Sequence, residues 1–175
     1  DTIASGVSDL YSNMSAFAAV KTDGTVATWG YSTFGGDSAS VANKISNKSH
    51  SDFLTTTDIS STGSAFAAIR SDGSVITWGN SSDGGDSSSV ASLIDGGDKD
   101  PHSEDVAQIY ATTSAFAALR KNGSVITWGD DDNGGSTADV EASVNGTIDV
   151  VEIFSTNNAF AALRSDGSVI TWGDK

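Results

Sequence analysis

The chain has 175 residues, with 23 Asp plus Glu against nine Lys plus Arg and a formal net charge of −14. That balance excludes the cationic footprint that nucleic acid demands and argues against docking on an anionic membrane surface, while it suits solubility in a salty medium or a calcium-dependent surface. With no cysteine there is neither a disulfide framework nor a thiolate metal site, and an apolar content of 37% supports the core of one domain.

The first element in chain order is VSDLYSN from Val7, a strand by its β-branched and aromatic content. SAFAAVKTDGTVATWGY from Ser15 follows as a hairpin. Its two apolar arms flank Asp23-Gly24, a pair that accepts the positive φ of a two-residue type I′ turn. The polar loop GYSTFGGD comes next and ends in Gly-Gly. The whole series then returns. TDISSTG from Thr57 leads into SAFAAIRSDGSVITWGN from Ser64 and the loop GNSSDGGD. VAQIYAT from Val106 leads into SAFAALRKNGSVITWGD from Ser114 and the loop GDDDNGGS, and VVEIFST from Val150 leads into NAFAALRSDGSVITWGD from Asn158. After two of these loops, SSSVASLI (87–94) and STADVEASV (136–144) are either single helical turns or irregular outer strands.

The repeated aromatic pairs are Phe17 and Trp29, Phe66 and Trp78, Phe116 and Trp128, and Phe160 and Trp172, each pair 12 residues apart. Successive Trp residues lie 49, 50 and 44 apart, so a rigid motif is joined by adjustable connections. The repeats divide a single domain at approximately 1–50, 51–100, 101–144 and 145–175. Counting outward from a two-residue turn sets Ile69 against Ile76 and places Ala67 opposite Trp78, with Ala18, Ala117 and Ala161 in the same relation to their own Trp. Phe66, Ala68, Val75 and Thr77 then occupy the other face. Both faces are apolar or small, as in a sheet sandwiched between neighbours.

The pattern A-L-x-x-D-G-x-V-x-x-W-G, with ALRSDGSVITWGD from Ala162 and ALRKNGSVITWGD from Ala118 as its fullest copies, resembles the RCC1-like β-propeller repeat. It is also similar to the repeats of bacterial secreted propellers of that superfamily, among them a β-lactamase inhibitor protein. The resemblance implies an all-β repeat protein with four antiparallel blades, whereas the family usually closes a ring of seven. The chain departs from the family in carrying Gly35-Gly36, Gly84-Gly85 and Gly134-Gly135 in place of Gly-Gln. It also has Ser15, Ser64, Ser114 and Asn158 where a His often opens the hairpin. Four blades leave three arrangements open: a closed four-blade ring, the half-ring of a homodimer, or an arc of a larger propeller. The chain starts at Asp1 with no signal peptide and stops at Lys175 directly after Trp-Gly, which fits an excised or self-complementing arc.

Chemistry beyond the repeat is sparse. His50 and His102, the only histidines, sit in connections between repeats without regularly spaced partners, as exposed loop residues do. No nucleophile elbow, phosphate loop or HExxH motif occurs, and no apolar run reaches membrane-spanning length. Asp23, Asp72 and Asp166 are accounted for by turn chemistry. The candidate ligand-binding residues are Tyr31, Phe34, Asp83, Asp130, Asp131 and Asp132, all in the loops that follow a Trp. Tyr31 and Phe34 are either a binding hot spot or the cover of a terminal blade. Asp130 and Asp132 are candidate Ca²⁺ ligands, with Glu141 at the twelfth position counted from Asp130, although the spacing of Gly134 departs from a calcium loop.

The reading as a whole is a non-enzymatic module of a bacterial secreted or surface protein that presents loops to a protein or glycan. A structural spacer and an inhibitor of a secreted enzyme are the alternatives.

Overall fold

The computed structural model describes residues 5–45, 54–96 and 105–174. His50 and His102 lie outside the described residues. The described residues form four antiparallel three-stranded sheets in strict chain order. The first contains β1 (Val7–Ser12), β2 (Ala16–Lys21) and β3 (Val26–Gly30), and the second β4 (Thr56–Ser61), β5 (Ala65–Arg70) and β6 (Val75–Gly79). The third contains β7 (Val106–Ala111), β8 (Ala115–Arg120) and β9 (Val125–Gly129), and the fourth β10 (Val150–Ser155), β11 (Ala159–Arg164) and β12 (Val169–Gly173). Each sheet is one blade, and the all-β four-blade arrangement follows the repeat.

The hairpin register differs from the one that a two-residue turn dictates. In the second blade Gly73 donates its N–H to the Arg70 carbonyl at 2.9 Å, and Arg70 donates to the Ser74 carbonyl at 2.9 Å. Ser71, Asp72 and Gly73 therefore form a three-residue loop in which Gly73, at φ 77°, takes the left-handed position of a bulge. The Asp72 carboxylate holds this loop by accepting from the N–H of Ser74 at 3.0 Å and from its hydroxyl at 2.6 Å. The extra residue shifts the pairing by one. Phe66 lies opposite Trp78, Ala67 opposite Thr77, and Ile69 opposite Val75. The other blades repeat this, so the partner of each Trp is its Phe and not the alanine. The rings of every such pair stack with centroids 5.3 Å apart.

A one-residue shift also re-sorts the two faces. One face of the second blade carries Ile59, Phe66, Ala68 and Trp78, and packs on Ala16, Ala18 and Val20 of the first. Its other face, with Ala65, Ala67, Ile69 and Val75, packs on Ile109, Phe116, Ala118 and Trp128 of the third. Ala115, Ala117, Leu119 and Val125 of the third blade meet Ile153, Phe160, Ala162 and Trp172 of the fourth in the same way. Every junction thus joins an alanine-rich face to a Phe/Trp face. The small residues let the bulky rings of the next sheet come close, and burial of those rings stabilises each junction.

Each junction is pinned by an indole. The Nε1–H of Trp78, Trp128 and Trp172 donates to the carbonyl of Gly35, Gly84 and Gly134 in the preceding blade, at 3.0, 3.0 and 3.2 Å. These glycines are left-handed, and a Cβ on Gly84 would stand 2.5 Å from the Phe116 ring. The first glycine of each Gly-Gly is therefore required by the next blade, and the second by its own, where a Cβ on Gly36, Gly85 or Gly135 would strike Gly30, Gly79 or Gly129.

The segments left open between turn and strand are helical. Ser88–Leu93 is a 3₁₀ helix and Glu141–Val144 one α-helical turn. They carry Ile94 and Val144, each almost wholly buried, into the junctions behind the hairpins.

The end blades lack neighbours on one side. Phe17 is 43% exposed, whereas Phe66, Phe116 and Phe160 are exposed by at most 1%. At the other end Val169 is 59% exposed against 6% for Val75 and 5% for Val125. No apolar cluster of described residues joins the first blade to the fourth, so the array is open and not a closed four-blade ring.

Candidate functional site

The loops after Trp29, Trp78 and Trp128 share one backbone. Ser32–Phe34, Ser81–Asp83 and Asp131–Asn133 are 3₁₀ turns, each closed by a left-handed glycine at φ 89°, 95° and 95°. A residue that sequence reasoning passed over clamps each loop from below. Asn13 Nδ2 donates to the Phe34 carbonyl at 2.7 Å. Thr62 Oγ1 donates to the Asp83 carbonyl and Thr112 Oγ1 to the Asn133 carbonyl, both at 3.0 Å. The signal was present: a hydrogen-bonding residue recurs four positions before each Phe, as Asn13, Thr62, Thr112 and Thr156.

On this common frame the predicted residues take different parts. Asp83 turns inward, where its Oδ2 accepts from the Asn80 amide at 2.8 Å and from the Ser64 hydroxyl. Asp130 caps its own turn, its Oδ1 accepting from the Asn133 backbone at 3.1 Å and side chain at 2.9 Å. Both carboxylates are engaged in holding their loops. Phe34 is half-buried and packs on the cluster around Phe66 and Trp78, while Tyr31 stands 62% exposed with its ring edge-on to Phe34 at 5.5 Å. Asp131 and Asp132 are exposed.

Asp131 and Asp132 edge an open cleft of about 860 Å³ between the third blade's outer loop and β12. Asp139 and Asp174 also line it, neither of them singled out by the sequence, beside Asn158 and Trp172. Four carboxylates along one open cleft make a strongly negative local field. Among the described residues no three His, Cys, Asp or Glu side chains converge closely enough to hold a metal ion, and Asp130 and Asp132 are not joined by a third ligand.

Perturbed ionisable groups mark junctions and turns. Burial, followed by the charge of Asp58, pushes the Tyr11 phenol up to about 12, and its hydroxyl donates across the first junction to Asp58 Oδ1 at 3.1 Å. Tyr110, at the equivalent place in the third blade, is raised chiefly by burial. Asp86 is lowered by the N–H and then the hydroxyl of Ser88, and Asp166 by the hydroxyl and then the N–H of Ser168.

No protein-family model matches the chain, and no curated protein matches it. Solved structures do. Prp20p from Saccharomyces cerevisiae, crystallised and described with its binding to Gsp1p and histones, superposes with a TM-score of 0.60 at 17% identity, over 94% of this chain and 44% of that one. Human WBSCR16 gives 0.57 at 18% identity, over 95% and 47%. The CRINKLY WD40 ectodomain of the Arabidopsis thaliana receptor kinase ACR4 gives 0.56 at 14% identity, over 96% and 53%. The chain thus spans about half the length of these three solved chains. Prp20p is the yeast RCC1, and the likeness is one of fold: four consecutive blades of an RCC1-like β-propeller.

Proposed function

We propose that the chain is a non-enzymatic binding module of a bacterial secreted or surface protein, and that its outer loops engage a protein partner through a basic surface. The observation that carries this is the contrast between frame and content in the loops after each Trp. Three loops share the same turn and the same left-handed glycine, yet their residues read Tyr-Ser-Thr-Phe, Asn-Ser-Ser-Asp and Asp-Asp-Asp-Asn. Loop variation on a constant scaffold is how repeat folds acquire recognition surfaces. The acidic cleft supplies the chemistry. Asp131, Asp132, Asp139 and Asp174 line it in a molecule that already carries a net charge of −14, so lysine- and arginine-rich surfaces are steered towards it.

The test is surface-plasmon binding of a lysine-rich peptide to the immobilised chain, with a neutral glycan set as the comparison. Binding that weakens steeply with salt, and drops about tenfold in the Asp131→Asn/Asp132→Asn double variant, is expected. Equal binding by the variant, or capture of glycans in place of the peptide, would sink the reading.

A further inference from the structure

The two open ends of the array carry the two apolar sheet faces of its internal junction. On the first blade, Leu10 and Phe17 occupy the places of Ile59 and Phe66, Ile109 and Phe116, and Ile153 and Phe160. Leu10 is 60% exposed, where Ile59, Ile109 and Ile153 are exposed by 6% or less. On the fourth blade, Ala159, Ala161, Leu163 and Val169 form the alanine-rich face that is covered in every preceding blade. Phe154, where Tyr11 and Tyr110 pack into junctions, is 54% exposed there.

The backbone hydrogen bonds of the junction match as well. A line of backbone hydrogen bonds runs from blade to blade: Met14 N–H to the Gly63 carbonyl, Gly63 N–H to Thr113, and Thr113 N–H to Asn157, at 3.2, 2.7 and 2.8 Å. The line has a donor left over at Asn157 and an acceptor left over at Met14, and among the described residues neither is matched. The turn glycines tell the same story. A Cβ on Gly24, Gly73 or Gly123 would strike Thr55, Asp105 or Asp149 of the next blade at 2.4 to 2.5 Å, whereas Gly167 meets nothing within 4 Å. The fourth blade ends in an uncovered alanine-rich face, and the first blade presents Leu10 and Phe17 at the positions that cover this face elsewhere, with Gly6 at the place of Thr55, Asp105 and Asp149.

We infer that two copies of this chain dock head to tail, the Leu10/Phe17 face of each covering the Ala161/Val169 face of the other. A junction of this kind joins different surfaces, so it either closes a ring or grows without end. Closure is the favoured outcome, because a closed pair forms two junctions from two copies and leaves neither face open. Charge opposes the pairing, since each copy carries −14, and added salt therefore strengthens it. Capture of a basic partner has the opposite salt dependence, which keeps the two proposals separable.

The experiment is light scattering of the 175-residue chain across a hundredfold dilution, with the variants Leu10→Arg and Val169→Arg. Both residues are exposed in the single copy, and circular dichroism with a melting curve checks that the variants fold. Wild type is expected at twice 17.8 kDa, and each folded variant alone at the single mass. Each variant retains the face that the other has lost. An equimolar mixture therefore recovers a 1:1 dimer, at a higher concentration than wild type needs because one of two junctions forms. A wild type that stays at 17.8 kDa throughout overturns the inference and assigns the open faces to other blades or another protein. Masses that grow beyond the dimer, or a mixture that remains monomeric, overturn it too.

Discussion

Tyr11 shows how much a single side chain reveals about its setting. Its ring packs in the first junction and its hydroxyl bonds to Asp58 of the next blade, so the phenol is held protonated up to about pH 12. A folded-state pKa raised above the ordinary 10.0 means that the associated stability is complete below pH 10 and is lost as pH rises through 12. The absorbance of tyrosinate, titrated in wild type and in Tyr11→Phe, should show one phenol ionising near 12 that the variant lacks. A wild type whose tyrosines all ionise together near 10 would contradict the contact. Asp166 runs the other way. Its carboxyl is lowered by Ser168, so its contribution is present above the usual carboxylate range and fades as the solution becomes acidic.

The hairpin is the element on which the fold turns. Gly73 and Gly167 occupy the same place in two blades, with φ of 77° and 84°, and differ in what lies beyond them. Gly167→Ala meets left-handed strain alone and is expected to cost about 1 kcal/mol. Gly73→Ala adds a Cβ 2.4 Å from that of Asp105, and about 3 kcal/mol is expected for strain and collision together. Urea unfolding of the two variants measures the difference, and equal losses would mean that the turn does not touch the next blade.

Much of this element was legible beforehand. Strand, turn, Trp-Gly and loop all carried local signals, and the Gly-Gly marked a place where no side chain fits. The register was not legible from Asp-Gly alone, because the pair suits both a two-residue turn and a three-residue loop with one left-handed glycine. The distinguishing mark was the hydroxyl that follows, Thr25, Ser74, Ser124 or Ser168, which shares the turn carboxylate or amide with the backbone. The candidate site was legible only in part. Asp131 and Asp132 sit where the loop pattern put them, but the roles of Asp83 and Asp130 as internal braces depend on how Ser64, Asn80 and Asn133 are brought against them. Asp139 and Asp174 meet the cleft only through packing of the third blade on the fourth.

For the molecule as a whole, position along the array outweighs residue identity. Phe116 is fully buried between blades, and Phe116→Ala is expected to cost about 3–5 kcal/mol. Phe17 stacks on Trp29 with the same 5.3 Å spacing, yet its outer side is open, and Phe17→Ala in the single copy should cost about 1 kcal/mol. Equilibrium unfolding at high dilution compares them. Similar losses would mean that the first blade already has a neighbour. Such a gradient is the mark of a nearest-neighbour array, in which interior units are held from two sides and terminal units from one.

The uniform junction has a consequence for how such a chain changes length. Because every alanine-rich face fits every Phe/Trp face, an in-register deletion of the second blade would bring the first against the third with the same apolar partners and the same indole-to-glycine bond. An in-register duplication would insert a blade on equal terms. The near-identical hairpin sequences make misaligned recombination between repeats of the gene easy, and its products inherit matching surfaces without further mutation. Blade number is then an inheritable variable that drifts by whole units, while the chemistry of each joint stays fixed.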